Sequence, residues 1–212
     1  MPKVRVLLAD DHVVVAQGLS ELLKDRFDLI GVVHDGRALL EAAERLHPEV
    51  IVTDISMPLL NGLDAIRQLR ASHPGVKVVV LTVHGDTQTA VSAFRAGARG
   101  YVLKVSPEEE FIAAIDQVAK GFAYVTPLVA KDLIDVLIEA RGKAPEGGPL
   151  TPRQREVLQL IAEGRTMKEV AAILNISPRT AESHKYEIMQ TLGVDNVTAL
   201  IRYAIRLKLI AE

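Results

Sequence analysis

Five short runs dominated by Val, Ile and Leu recur through the first 125 residues, and they constrain the fold of this 212-residue chain more than any other feature. They cover 4–9, 29–33, 50–53, 78–82 and 100–103. All are mostly apolar at alternate and intervening positions alike, the pattern of parallel strands buried on both faces. Between them lie amphipathic stretches at about 13–24, 36–46, 61–71, 86–97 and 107–120 that read as helices. Five strand–helix units in succession predict an α/β fold with a doubly wound, five-stranded parallel sheet. Ligands of such sheets sit beyond the C-terminal ends of the strands. The residues that end the runs are therefore the first place to look for chemistry.

Those residues are unusual as a set. Asp10 and Asp11 follow the first run, Asp54 follows the third, Thr82 closes the fourth and Lys104 follows the fifth. Taken singly, an aspartate at a strand end is most often a turn or capping residue, and a lone lysine is most often a surface charge. Taken together, three carboxylates converging on one rim repel one another unless a cation intervenes. A hard divalent ion such as Mg²⁺ prefers such oxygen donors. Carboxylates, a hydroxyl and an ammonium around a metal suit phosphoryl transfer to a carboxylate.

With Asp10-Asp11, Asp54 followed by Met57-Pro58 and Gly62, then Thr82, Tyr101 and Lys104 in place, residues 1–122 resemble a response-regulator receiver domain. That family has a flavodoxin-like sheet in the order 2-1-3-4-5. The resemblance implies that Asp54 is the phosphoacceptor and that Asp10, Asp11, Asp54 and the backbone carbonyl of Ser56 bind Mg²⁺. It implies that Lys104 pairs with a phosphoryl oxygen, that Thr82 moves to meet it, and that Tyr101 rotates inward behind Thr82. A phosphoryl group adds close to two charges and three acceptor oxygens, which a bare carboxylate cannot offer to Thr82 and Lys104. The chain departs from the family at Val105, where relatives often carry Pro or an acidic residue. A cis Lys104–Val105 peptide would cost about 2.5–4 kcal/mol, so its geometry is for the structure to give. His12 reads as a capping or surface residue, and Ser56 and His84 flank the pocket.

The rest of the chain reads as a linker and a second domain. Residues 126–143 suggest a helix with an apolar face formed by Leu128, Leu133, Ile134, Leu137 and Ile138 and the stem of Lys131. The Gly/Pro-rich 144–149 marks a boundary, giving a receiver at 1–125, a linker at 126–148 and a second domain at 149–212. In that last segment Thr151-Pro-Arg-Gln154 and Thr166-Met-Lys-Glu169 read as capping boxes. Ser177-Pro178 starts a third helix, Gly193 ends it, and a fourth begins near Asn196. The short Asn175–Ser177 connection fits a helix-turn-helix within an all-α, four-helix domain.

On a wheel of 100° per residue, the third helix places Ala181, Ile188, Met189 and Leu192 inward. Arg179, Ser183, Tyr186, Glu187 and Gln190 point outward, with Glu182 beside them. Most such polar faces are simply solvated, yet this one carries the variety needed to read base edges. Leu150–Val157, Ala162-Glu-Gly164, Lys168–Ala171, Ile176–Thr180, His184 and Leu192-Gly-Val194 resemble the LuxR-type DNA-binding domain. The whole chain is thus similar to the NarL/FixJ response regulators. By that resemblance Glu182, Ser183 and Tyr186 face bases, and Arg179, Thr180 and Lys185 face phosphates. The implied partners are promoter DNA, a sensor histidine kinase and a second copy of the chain.

Charge supports this only mildly. Net charge is −2 overall, with −3 over residues 1–125 and +2 over 149–212 as counted along the sequence. Binding by an isolated monomer is therefore expected to be weak and salt-sensitive. The apolar side of the last helix (Val197, Leu200, Ile201, Ala204, Ile205 and Lys208) serves either dimerisation or plain packing. Cys is absent, which excludes disulfide and thiolate chemistry. No stretch reaches the ~18 apolar residues of a membrane span, and the start of the chain lacks a signal-peptide pattern, so a soluble cytoplasmic protein is expected. Two other readings stay open here: a regulator that works without phosphorylation, and an enzyme on a flavodoxin-like fold. The complete acidic site opposes the first. The absence of a Gly-rich phosphate loop after the first run disfavours nucleotide chemistry in the second.

Overall fold

The structure is a computed structural model that describes residues 3–139 and 149–210, with side chains described up to 136 in the first segment. Strands and helices alternate from the start. They are β1 (Arg5–Ala9), α1 (Val13–Arg26), β2 (Asp28–Val33), α2 (Gly36–Leu46), β3 (Val50–Thr53) and α3 (Gly62–Ser72). Then come β4 (Lys77–Thr82), α4 (Thr87–Ala96), β5 (Gly100–Leu103), α5 (Glu108–Ala119), β6 (Tyr124–Val125) and α6 (Pro127–Glu139). Four further helices follow: α7 (Pro152–Ala162), α8 (Met167–Leu174), α9 (Pro178–Leu192) and α10 (Val197–Arg206). Two compact units result, the first built on β1–β6 with α1–α6 and the second on α7–α10.

In the first unit every strand pairing is parallel, in the order β2-β1-β3-β4-β5-β6. The five long runs are the first five strands in the order 2-1-3-4-5. The sheet has a sixth strand, however, which corrects the five-stranded expectation. After α5 the chain returns along the free edge of β5, where the Tyr124 amide donates to Arg99 O at 3.0 Å and the Thr126 amide to Tyr101 O at 2.9 Å. Two residues are too few to show a period of two, but the exposed β5 edge has backbone groups that need partners. The central strands are fully buried, as at Val50, Ile51 and Val52. Val6, Leu8, Val52, Leu81 and Val102 pack with Phe111, Ile115 and Val118 of α5. This core fixes the strand ends, and with them the residues that follow.

The linker helix differs from its expected face. Val129 and Leu133 are the buried residues, whereas Leu128 and Ile134 are 73% and 55% exposed and Lys131 is exposed. Val129 and Leu133 stand four residues apart on one side of α6, and α6 packs along α4. Periodicity placed a helix there but could not say which stripe α4 would cover. The side chains of Leu137 and Ile138, the expected helical residues 140–143, and boundary residues 144–148 lie outside the described residues.

In the second unit, Thr151 and Thr166 form the two capping boxes, with both reciprocal hydrogen bonds present. Asn175 closes α8 in the left-handed region (φ 52°), and Ser177 caps α9. Val157, Leu158, Leu160, Val170, Ala171, Leu174, Ala181, Ile188, Leu200 and Ala204 form its core. Leu200 and Ala204 of α10 are thus core residues, while Ile201, Ile205 and Lys208 are partly covered and Val197 is exposed. Among the described residues no helix is long and apolar enough to cross a membrane.

Candidate functional site

The residues that end β1, β3, β4 and β5 meet at one rim. Asp10 and Asp54 are nearly inaccessible, at 1% and 4% exposure. Adjacent strands bring them together: the Asp54 amide donates to Ala9 O at 2.9 Å, and the Asp10 amide to Val33 O at 3.1 Å. Lys104 Nζ lies 2.7 Å from Asp10 Oδ2 and 2.7 Å from Asp54 Oδ2, bridging both carboxylates. Burial alone would lower the Lys104 ammonium, but its hydrogen bonds to Asp10 and Asp54 and their charges hold it above its ordinary 10.5. The remaining oxygens are partly satisfied by backbone. Asp54 Oδ1 accepts from the Ile55 amide at 2.6 Å, and Asp10 Oδ1 from the His12 amide at 2.9 Å.

Asp11 completes the acidic group. Its Oδ1 is shut off from solvent and accepts no hydrogen bond, although His12 Nδ1 is 2.8 Å away. One ligand atom each from Asp10, Asp11, His12 and Asp54 falls within 4.8 Å of the others. Mostly oxygen donors, with one acceptor lacking a hydrogen bond, are a set a hard divalent cation fits. His12 is exposed, starts α1 and makes no side-chain cap. Its place beside Asp11 was not legible from its capping position.

A glycine makes the loop after β3 possible. The Gly62 amide donates to Ile55 O at 2.8 Å, and a Cβ on Gly62 would come within 2.0 Å of Asp54 O. No side chain fits there, so the loop carrying Asp54 and Ser56 folds closely over the start of α3. The Lys104–Val105 peptide is trans, like every peptide among the described residues, and Val105 is 77% exposed.

Thr82 and Tyr101 are both fully buried, and one peptide holds them. The His84 amide donates to Thr82 Oγ1 at 3.3 Å, and Tyr101 Oη donates to His84 O at 2.6 Å. The ring of Tyr101 is already inward and fully buried, where the resemblance implied a rotation to reach that place. Burial, then the charges of Asp86 and Asp54, push its phenol well above its ordinary 10.0. The His84 imidazole reaches back to the loop after β3, with Nε2 3.2 Å from Ser56 Oγ. Sequence reasoning placed Ser56 and His84 beside the pocket but gave no sign that the His84 peptide joins Thr82 to Tyr101.

The second unit presents the outer face of α9. Arg179, Thr180, Glu182, Ser183 and Tyr186 are exposed, Tyr186 at 75%, while Ala181 and Ile188 are buried anchors. Met189 and Leu192 are only partly covered. Lys185 is half-buried at the side of this face, with Nζ 3.4 Å from Glu182 Oε2. The amide of Thr180 donates to Ser177 Oγ at 3.0 Å, and Ser183 Oγ to Arg179 O at 3.1 Å. The first turn is therefore locked while its side chains remain accessible.

An acid-lined pocket at the end of a doubly wound sheet and a capped helix-turn-helix define a phosphoacceptor module joined to a DNA-binding type of module. Comparison with known proteins gives the family. The response regulator receiver domain matches residues 6–116, and the luxR family of bacterial regulatory proteins matches 148–204. The transcriptional regulatory protein MctR of Rhizobium johnstonii is 38% identical over 207 residues, covering 96% of this chain and 94% of that protein. The oxygen regulatory protein NreC of Staphylococcus carnosus is 33% identical, covering 97% and 99%. RcsB from Salmonella enterica serovar Typhimurium, bound to a promoter in the presence of phosphomimetic BeF3−, is similar at a TM-score of 0.60 and 29% identity, covering 95% of this chain and 97% of that one. The chain belongs to the two-component response regulators that carry a LuxR-type DNA-binding domain, a family of transcription regulators and not of enzymes.

Proposed function

We propose that the chain is a phosphorylation-controlled transcription factor in which Asp54 takes a phosphoryl group from a histidine of a partner sensor kinase. The observation that carries this is Lys104 Nζ held 2.7 Å from the carboxylates of both Asp10 and Asp54. The ammonium already stands where charge accumulates when a phosphoryl group joins Asp54. In the transfer, a carboxylate oxygen of Asp54 forms the new O–P bond while the P–N bond of the donor breaks and its electron pair stays with the imidazole. Asp10, Asp11, Asp54 and the Ser56 carbonyl would hold Mg²⁺, which supplies charge neutralisation at the transferring phosphoryl oxygens. Lys104 then exchanges a carboxylate partner for a phosphoryl oxygen. Thr82 gives up the His84 amide to donate its hydroxyl to the same group, while Tyr101, already inward, holds the His84 peptide behind it. Asp54 is labelled once and not turned over.

The output is promoter binding in the major groove. Arg179, Thr180 and Lys185 are assigned to phosphates, and Glu182, Ser183 and Tyr186 to base edges. Glu182 repels phosphate and ties up Lys185, so a single copy binds weakly and a dimer binds well. The similar protein RcsB is seen as two dimers bound to two parallel DNAs. Residues 1–125 then act as receiver, 126–148 as linker and 149–212 as DNA-binding domain, in the cytoplasm.

The test is a gel-shift series with and without an acyl-phosphate donor and Mg²⁺, run beside intact-mass measurement. Wild type should gain one phosphoryl group and bind promoter DNA more tightly. Asp54→Ala should lose both effects with its fold intact. Equal affinity in all forms would sink the switch.

A further inference from the structure

Outside the pocket, a hydrogen-bonded polar cluster is centred on one buried threonine. Thr126 has no exposure to solvent. Its hydroxyl donates to Glu110 Oε2 at 2.8 Å, and Ser106 Oγ lies 2.9 Å from the same Thr126 oxygen. A hydroxyl has one proton to give. With that of Thr126 committed to a carboxylate, Ser106 is the donor in the second bond. The chain Ser106 to Thr126 to Glu110 is therefore polarised in one direction and ends on a charge, the stronger kind of hydrogen bond.

The position of Thr126 is what gives this cluster a role. Ser106 lies two residues after Lys104, in a turn closed by its own amide on Leu103 O at 2.9 Å. The Thr126 amide donates to Tyr101 O at 2.9 Å, and its carbonyl accepts from the Val129 and Ala130 amides at 3.0 and 3.2 Å. Thr126 thus touches the loop behind Lys104, the backbone of Tyr101 and the first turn of α6. Val129 and Leu133 carry that helix onto α4, and α6 leads in sequence toward the second unit.

We propose that Thr126 is a positioning residue that couples the phosphoacceptor pocket to the linker helix α6. The inference rests on the functional reading above. When Lys104 changes partner, the turn that carries Ser106 shifts with it, and Thr126 and the start of α6 must follow or lose the Ser106 hydrogen bond. Thr126 does not yield gradually, because its buried hydroxyl costs more unpaired than displaced and still paired. By linkage the effect is reciprocal: whatever fixes α6 biases the pocket to the same degree.

The experiment uses the full chain with Mg²⁺ and BeF3−, comparing wild type, Thr126→Val, Thr126→Ser and Ser106→Ala. Val keeps the shape and removes the hydroxyl; Ser keeps the hydroxyl. In wild type, BeF3− should change amide exchange across residues 128–136 and raise promoter affinity by about tenfold, within the usual range of allosteric coupling. Thr126→Val and Ser106→Ala should still take BeF3− and still label on Asp54, yet show no exchange change in α6 and lose most of the affinity gain. Thr126→Ser should restore both. An undiminished gain in Ser106→Ala and in whichever Thr126 variants fold overturns the coupling while leaving the regulator. A wild type with no gain at all overturns the functional reading, and the coupling with it. If Thr126→Val does not fold, the Ser106→Ala and Thr126→Ser pair decides alone.

Discussion

At the scale of single residues, Lys104 determines whether the pocket is stable. It is the cation that joins two nearly buried carboxylates, and removing it leaves both charges facing each other. Breaking one side of a buried ion pair costs about 3–5 kcal/mol, so Lys104→Met should lower unfolding stability by roughly 3 kcal/mol. Mg²⁺ should recover much of that loss, and more than it adds to wild type, because it supplies the missing positive charge. Chemical denaturation with and without Mg²⁺ checks this; equal Mg²⁺ effects in both proteins would count against the assignment of the acidic group. The pH dependence has a definite sign. Tyr101 and Lys104 are both held above their ordinary values of 10.0 and 10.5. In each case the folded chain keeps a proton that the unfolded chain releases first. Their contribution is therefore complete below about pH 10 and is lost as pH rises above it. Tyr101→Phe should flatten that alkaline decline. An unchanged slope would show that the buried phenol is not its source.

At the scale of elements, caps and close approaches do the placing. Ser177 fixes the first turn of α9 through the Thr180 amide, and that turn carries Arg179 and Thr180. Ser177→Ala should cost about 1 kcal/mol and speed exchange of the Thr180 amide by roughly fivefold, the same energy expressed as a ratio. DNA affinity should fall without a change in base preference, since no base-facing side chain is altered. A changed preference would mean that the first turn itself reads sequence. The α9 caps were legible in advance because capping boxes and the Ser-Pro start are local patterns. β6 and the buried face of α6 were not, because each depends on which neighbour, β5 or α4, lies alongside.

At the scale of the whole molecule, charge and coupling set the output. The segment 149–212 carries a net charge of only +2, so few phosphates are neutralised per copy. For two to three phosphate contacts, log affinity should fall with log salt at a slope of about −2 to −3. Lys185→Ala should make that slope shallower by about one, whereas Ser183→Ala should leave it alone and relax base preference. Titrations at several salt concentrations separate the two. If Lys185→Ala leaves the slope unchanged, its ammonium stays with Glu182 and never reaches the backbone.

The two kinds of fold, the residues gathered at the strand ends and the capped helices of the second unit were all legible along the chain. These follow from hydrophobic periodicity and from side chains that act on backbone three residues away. Folding was needed to reveal that one lysine spans Asp10 and Asp54, that the His84 peptide joins Thr82 to Tyr101, and that Thr126 ties the Lys104 loop to α6. Each of these contacts joins groups that no local pattern relates: Lys104 and Asp54 are 50 positions apart, and Ser106 and Thr126 are 20 apart. The physical reason is that a period of two or of 3.6 names a face but not its partner. Partners are chosen only when strands fall into register and a buried polar group must find what remains within reach.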